Sequence, residues 1–335
     1  MTRLVAGFGS SHSPMLTAAL EDWEHHFGPR DRTRPHIDLD GNPASFDALL
    51  AAAPPDALVR IAPEKLATRH AETRAAMARL RGDIIAARLD ALIIIGDDQQ
   101  ELFDHTNMPA IGIWHGESIR NARQPDPTAA DWFARARAHF LELEADRFYP
   151  CHAPLALHLV GALGEAGFDI STMQATPADK YEGHAYSYVH RVLLGGDAMP
   201  VIPIFLNAYY PPNQPTPRRC FALGAALRNA VAEFPGDLRV GILASGGLSH
   251  FVVDEAHDRA IVAAFQRHDL AAIGSIPLRK LQSGSSEIRN WICLAGAMQD
   301  MALAWISYVP GYRSAALTGT GLCFAHWQTP LAGSR

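Results

Sequence analysis

The sequence predicts an α/β fold: a central mixed sheet flanked by helices, with its active site at the C-terminal ends of the strands. Three observations carry the prediction. Short apolar runs recur at Leu4–Phe8, Ala91–Ile95, Val201–Leu206 and Val240–Ala244, each closed by glycine or polar residues, and such runs read as buried strands. Several of the stretches between them place apolar residues at the three- and four-residue spacing of one helix face. Polar, chemistry-bearing side chains follow directly after the strands, at the rim where open α/β sheets bind ligands.

Composition narrows the class. With 335 residues, 48% hydrophobic and 19% charged, the chain can bury one large core, and we expect a single domain over 1–335. A net charge of −6 and the absence of any Lys/Arg run argue against nucleic-acid and membrane partners and favour a small substrate. The start, MTRLVAGFGSSH, lacks the long apolar stretch of a signal peptide, and no run of about 18 apolar residues could span a bilayer. The expected location is therefore cytoplasmic. Cys151, Cys220, Cys293 and Cys323 lie far apart without a CxxC pair, so neither a disulfide framework nor a structural zinc site is indicated.

In chain order, the strand Leu4–Phe8 leads into Gly9-Ser10-Ser11-His12-Ser13-Pro14. Gly7-x-Gly9-x-x-His12 lacks the third glycine of a dinucleotide fingerprint. Residues 20–63, rich in Pro, Asp, His and Arg, read as an irregular insertion near the site, with one short helix near Phe46–Leu50. A helix is predicted from Pro63 to about Asp90, with Met77, Leu80, Ile84 and Ala87 on its buried face. The strand Ala91–Ile95 then ends in Gly96-Asp97-Asp98-Gln99-Gln100-Glu101, and Asn107–Ile113 suggests another short strand. Pro154–Glu165 reads as a helix with proline in its first turn, which makes His158 structural.

Gly183-His184 falls in a polar loop. Val201–Leu206 leads into Asn207-Ala208-Tyr209-Tyr210, two tyrosines that could line a pocket. Thr216-Pro217 cap a helix running to about Glu233. There Arg218 and Arg219 are candidates to hold a substrate carboxylate. The strand Val240–Ala244 breaks at Ser245-Gly246-Gly247 and reaches His250. Asp254–Phe265 is a helix. Another begins at Ser285-Ser286-Glu287, with Ile288, Trp291, Ile292, Ala295 and Met298 inward. Glu287 sits in its first turn, where the helix dipole favours a carboxylate by about 0.3–1 kcal/mol. Leu322–Trp327 reads as a last strand.

The strand rims thus offer His12, the Asp97–Glu101 cluster, His184 and His250, with Glu287 at a helix start. Two imidazoles and a carboxylate on one face of a metal form the open triad that suits non-heme Fe(II) and dioxygen chemistry.

Over nearly its whole length the sequence resembles the class III extradiol ring-cleavage dioxygenases, which include the catalytic subunit of protocatechuate 4,5-dioxygenase and the gallate dioxygenases. The segments that carry the resemblance are Ser10–Pro14, Gly183-His184, VIPIFLNAYYPP with PRRC, the SGGLSH run to His250, and Glu287-Ile-Arg-Asn-Trp291. The resemblance implies Fe(II), a catechol- or gallate-type aromatic substrate and O2, and a homo-oligomer or a small second subunit as partner. It also implies His12 and Glu287 as metal ligands, His250 as the acid/base, and His184 as a residue binding a substrate hydroxyl.

One segment departs from the family. Where the family has Asn-Asp-His, this chain has Asp97-Asp98-Gln99, with Phe103 at the aromatic position. Three outcomes are open: Gln99 coordinates weakly, Asp97 or Asp98 replaces the missing imidazole, or the metal is absent. His105 and His115 are nearby substitutes off the strand's end. The competing functions are a metal-poor, non-catalytic subunit and a divergent metal-dependent enzyme of the same fold, such as a metal hydrolase. No Gly-x-Ser-x-Gly elbow supports a serine hydrolase.

Overall fold

The computed structural model describes residues 1–124 and 131–330. Its main sheet comprises β1 (Arg3–Ser10), β2 (Ala91–Asp97), β3 (Ile111–Trp114), β4 (Ser171–Met173), β5 (Val201–Leu206), β6 (Arg239–Ser245), β7 (His250–Val252), β8 (Ala302–Tyr312) and β9 (Thr318–Gln328). The order is β7-β9-β1-β6-β2-β5-β3-β4, with β8 also paired to β9. The central run β1-β6-β2-β5 is parallel. The flanks join through antiparallel contacts of β9 with β1 and of β3 with β5. The sheet is therefore mixed, as expected.

The parallel register decides where the site lies. Ser10 is opposite Ser245, Ala244 opposite Ile95, and Asp97 opposite Leu206. The C-terminal ends of β1, β6, β2 and β5 therefore form one rim, and whatever follows each strand converges there.

Both faces of these strands are buried, so the sequence runs apolar rather than alternating. Ala91, Ile93 and Ile95 point into one core, with helices α2 (Ala153–Glu165), α4 (Pro217–Glu233), α5 (Glu255–Gln266) and α6 (Ile288–Ala297). Leu92 and Ile94 point into the other, with the long helix α1 (Pro63–Ala86) and the short helix α3 (His184–Tyr188). Helix α6 lies close on the sheet because Gly9 leaves room for Trp291: a Cβ there would stand 2.3 Å from the indole ring. The indole N–H donates to Gly246 O at 2.8 Å, locking the helix start over the rim.

Some expectations change at this level. Helix α1 stops at Ala86, short of Asp90. The strand suggested at Asn107–Ile113 is confined to Ile111–Trp114. His184 does not sit in a loop; it opens α3, which continues as a π-helical turn over Val189–Leu193. The 20–63 segment contains short helices at Leu20–His25, Phe27–Asp31, Phe46–Ala51 and Ala57–Arg60 and a small hairpin. Among the described residues, no helix is long and apolar enough to cross a membrane.

Candidate metal centre

His12 lies two residues beyond β1, 3% exposed. Ser245 Oγ donates to Ala185 O at 2.7 Å, so its oxygen accepts from His12 Nδ1 at 3.0 Å. That makes Nδ1 the donor and turns Nε2 toward the two carboxylates. Nε2 is buried without a hydrogen-bond partner, 3.2 Å from Glu287 Oε2 and 3.9 Å from Asp97 Oδ1.

Asp97 ends β2 and is fully buried. Its Oδ2 has no partner, and Oδ1 takes a long bond from Asn290. Burial, then the Glu287 carboxylate beside it, pushes its carboxyl up from the usual carboxylate range.

Glu287 closes a 3-10 turn, Ser283–Glu287, and leads into α6. Its carboxylate accepts from Gly247 N–H at 2.9 Å and from Tyr209 O–H at 2.7 Å, and stands 3.1 Å from His250 Nε2. Burial disfavours its charge, but His250 and His12 outweigh burial and hold it well below the usual range. His250 Nδ1 donates to Leu248 O at 2.9 Å. An acceptor stands at each ring nitrogen, Leu248 O at Nδ1 and the Glu287 carboxylate at Nε2, which favours the protonated ring. Its pKa is raised accordingly: burial lowers it, and Glu287 more than reverses this.

His184 follows Gly183, whose φ of +77° is a left-handed conformation suited to glycine. Its Nδ1 lies 2.7 Å from Glu101 Oε2 and 2.9 Å from Oε1, and its own N–H donates to Oε1 at 3.2 Å. Burial works against charge on both partners. The pairing wins, taking His184 up to about 9 and Glu101 down to about 2. The ring stands edge-on to His12, 4.5 Å between centroids.

His12, Asp97, His184 and Glu287 each offer one donor atom, all within 4.8 Å of one another. Imidazole and carboxylate donors suit a divalent transition metal. The bare Nε2 of His12 and Oδ2 of Asp97 are buried polar atoms that lack a protein partner, as metal donors do. The residues present therefore fit an ion.

The other candidate side chains lie around this group. Asp98 is not a donor here: its oxygens accept from Leu102 and Phe103 N–H, which turns it away from the group. Gln99 is exposed on the rim, its amide nitrogen 3.4 Å from His184 Nε2. His184, expected against a substrate hydroxyl, places a ring nitrogen within the donor group and also lines the adjoining cavity. His105 bonds to Gln100, and neither it nor His115 joins. Arg218 and Arg219 line a separate hollow, with Arg219 stacked on Phe168.

His12, His184 and Glu287 of this group line a cavity of about 220 Å³ together with Gln99, Tyr209, His250, Phe27, Phe133 and Phe251, and Asp97 lies behind them. Sequence reasoning missed the cavity's cations Arg30, Arg34, Arg137 and Arg313, three of them supplied by segments without a recognisable motif.

A family model described as the catalytic LigB subunit of aromatic ring-opening dioxygenase matches residues 149–318, a span that holds His184, His250 and Glu287. A gallate dioxygenase of Pseudomonas putida is 36% identical over 107 residues, 31% of this chain and 30% of that protein. A 2,3-dihydroxyphenylpropionate/2,3-dihydroxicinnamic acid 1,2-dioxygenase of Comamonas testosteroni is 37% identical over 98 residues, 29% of each. The matched segments thus span less than a third of these relatives. The crystal structure of an uncharacterized protein from Escherichia coli K12 aligns over 96% of this chain and 99% of its own with a TM-score of 0.44 and 13% identity.

Proposed function

Since the chain belongs to the family of catalytic LigB subunits of aromatic ring-opening dioxygenases, within the class III extradiol superfamily, we propose that it is an Fe(II)-dependent extradiol dioxygenase. Its substrate in this reading is a catechol- or gallate-type aromatic, opened with O2. The observation that supports the reading most is the donor group itself, with His12 Nε2 and Asp97 Oδ2 bare, beside an aromatic-walled cavity that His12, His184 and Glu287 line.

In this reading His12, Asp97 and Glu287 hold the ion, with His184 as fourth donor, and Asp97 stands in for the imidazole missing at Gln99. A ferrous ion held there supplies a Lewis acid for ring hydroxyls and a redox partner for dioxygen. The protein's own groups prepare for this. Ser245 fixes the His12 tautomer, Glu101 aims His184, and Tyr209 with Gly247 N–H orients Glu287. His250 presents Nε2, 3.1 Å from Glu287, as the atom that exchanges a proton with the reacting ring hydroxyl. Phe27, Phe133 and Phe251 exclude water from the ring.

Gln99, at the position where the family carries histidine, favours a second reading: a metal-poor subunit beside a catalytic partner. Elemental analysis after anaerobic purification and Fe(II) loading decides between them, followed by oxygen uptake with protocatechuate, gallate and 3-O-methylgallate. About one iron per chain with uptake supports the enzyme. Neither metal nor uptake overturns it in favour of the subunit.

A further inference from the structure

The cavity has a second chemical feature, away from the donor group. Arg30 and Arg34, from the 20–63 segment, and Arg313, just past β8, line it together. Arg34 lies over the Phe251 ring at 4.4 Å, and that ring is 5.4 Å from His250, so the arginines adjoin the proposed acid/base. Arg30 lies over Phe133 at 3.5 Å. Arg313 is 7% exposed, pairs through Nε with Asp31 Oδ2 at 2.9 Å, and leaves Nη2 buried with no partner.

Among the described residues, Asp31 is the one carboxylate within ion-pair distance of any of the three. The repulsion registers on Arg30, whose pKa is lowered by burial and then by Arg34 and Arg313. Half-buried like charges are costly to gather unless an anion joins them. Guanidinium forks match carboxylates bidentately.

Resting on the ring-opening reading above, we infer that Arg30, Arg34 and Arg313 form an anion subsite whose surplus of positive charge suits a ring diol carrying two carboxylates. The diol end of such a ring faces the donor group and His250, and the acidic groups face the arginines. Stacking of Arg34 on Phe251 and of Arg30 on Phe133 holds the guanidinium planes beside the ring. Selection then rests on the 20–63 segment rather than on the metal donors.

The test compares catechol, protocatechuate and 4,5-dihydroxyphthalate on the Fe(II)-loaded protein. Anaerobic binding is read by calorimetry and oxygen uptake separately. Each carboxylate is expected to tighten binding about tenfold, the worth of a charge-assisted hydrogen bond. Arg34→Gln and Arg30→Gln, at half-buried positions outside the Asp31–Arg313 pair, are each expected to erase about tenfold of that advantage and leave catechol binding unchanged. Equal binding of the three rings to the wild type, or an undiminished acid advantage in both variants, overturns the subsite. Arginine-dependent binding of the acids without oxygen uptake keeps the subsite and removes the ring-opening reading. Catechol uptake without an acid advantage does the reverse.

Discussion

Replacing Glu101 with Gln tests how the site holds His184. The pair is nearly out of solvent, its side chains 12% and 11% exposed. His184 stands at about 9 against an ordinary 6.5, and Glu101 at about 2 against 4.5. These are one interaction seen from either partner and are counted once. At about 1.4 kcal/mol per pH unit, either displacement amounts to roughly 3 kcal/mol, in line with the cost of breaking a buried pair. With an unfolding entropy of about 2 cal/mol/K per residue, roughly 3 kcal/mol lowers the Tm of a chain this size by about 4 °C.

The pH dependence has a definite sign. A histidine held above its unfolded value stabilises fully below pH 6.5, and the gain is lost as pH rises through about 9. A carboxylate held low stabilises above pH 4.5 and loses that as pH falls through about 2. Scanning calorimetry with chelator present should therefore show the full deficit of Glu101→Gln between about pH 4.5 and 6.5 and a much smaller one at about pH 10. An equal deficit at both ends, or none at about pH 6, refutes the charged pair.

Three other substitutions address the donor group and its support. Asp97→Asn should raise the Tm of chelated protein near neutral pH, because it removes a buried carboxylate that burial and Glu287 disfavour. It should also weaken Fe(II) binding by at least about tenfold, as removal of a metal donor does; metal titration followed by scanning fluorimetry reads both, and unchanged affinity counts against Asp97 as a donor. Gln99→His should leave Fe(II) affinity within about threefold of wild type, well short of the effect of losing a ligand. A large gain in bound iron or oxygen uptake would instead mark Gln99 as the limiting residue. Gly9→Ala places a methyl 2.3 Å from Trp291, which should cost about 1–3 kcal/mol as overpacking and, by shifting α6 with Glu287, lower iron occupancy; normal occupancy in a folded variant would separate the helix from the site.

Much of this was legible before any coordinates. The strand runs are apolar on both faces, so their existence and the rim at their ends could be read directly, as could the helix that carries Glu287. His12, His250 and Glu287 stand out because each follows a strand or opens a helix. The choice among Asp97, Asp98 and Gln99 was harder to read, yet alternation along β2 bears on it. Asp97 shares the parity of Ile93 and Ile95, the face covered by α6, while Asp98 falls on the other. That signal emerges only once the strand is known to run unbroken to its last residue. His184 was misplaced because a five-residue helix begun by a glycine has no apolar period long enough to detect. The cavity's arginines come from a segment without periodicity, and their convergence with Arg313 depends on pairings almost the whole chain apart.

The most direct measurement is anomalous diffraction at the iron edge from crystals grown and loaded with Fe(II) without oxygen. A single strong peak in bonding contact with His12 Nε2, Asp97, His184 and Glu287 is the predicted result. A peak elsewhere, or none at those side chains in protein that binds its aromatic ligand, would contradict the metal centre on which the function rests.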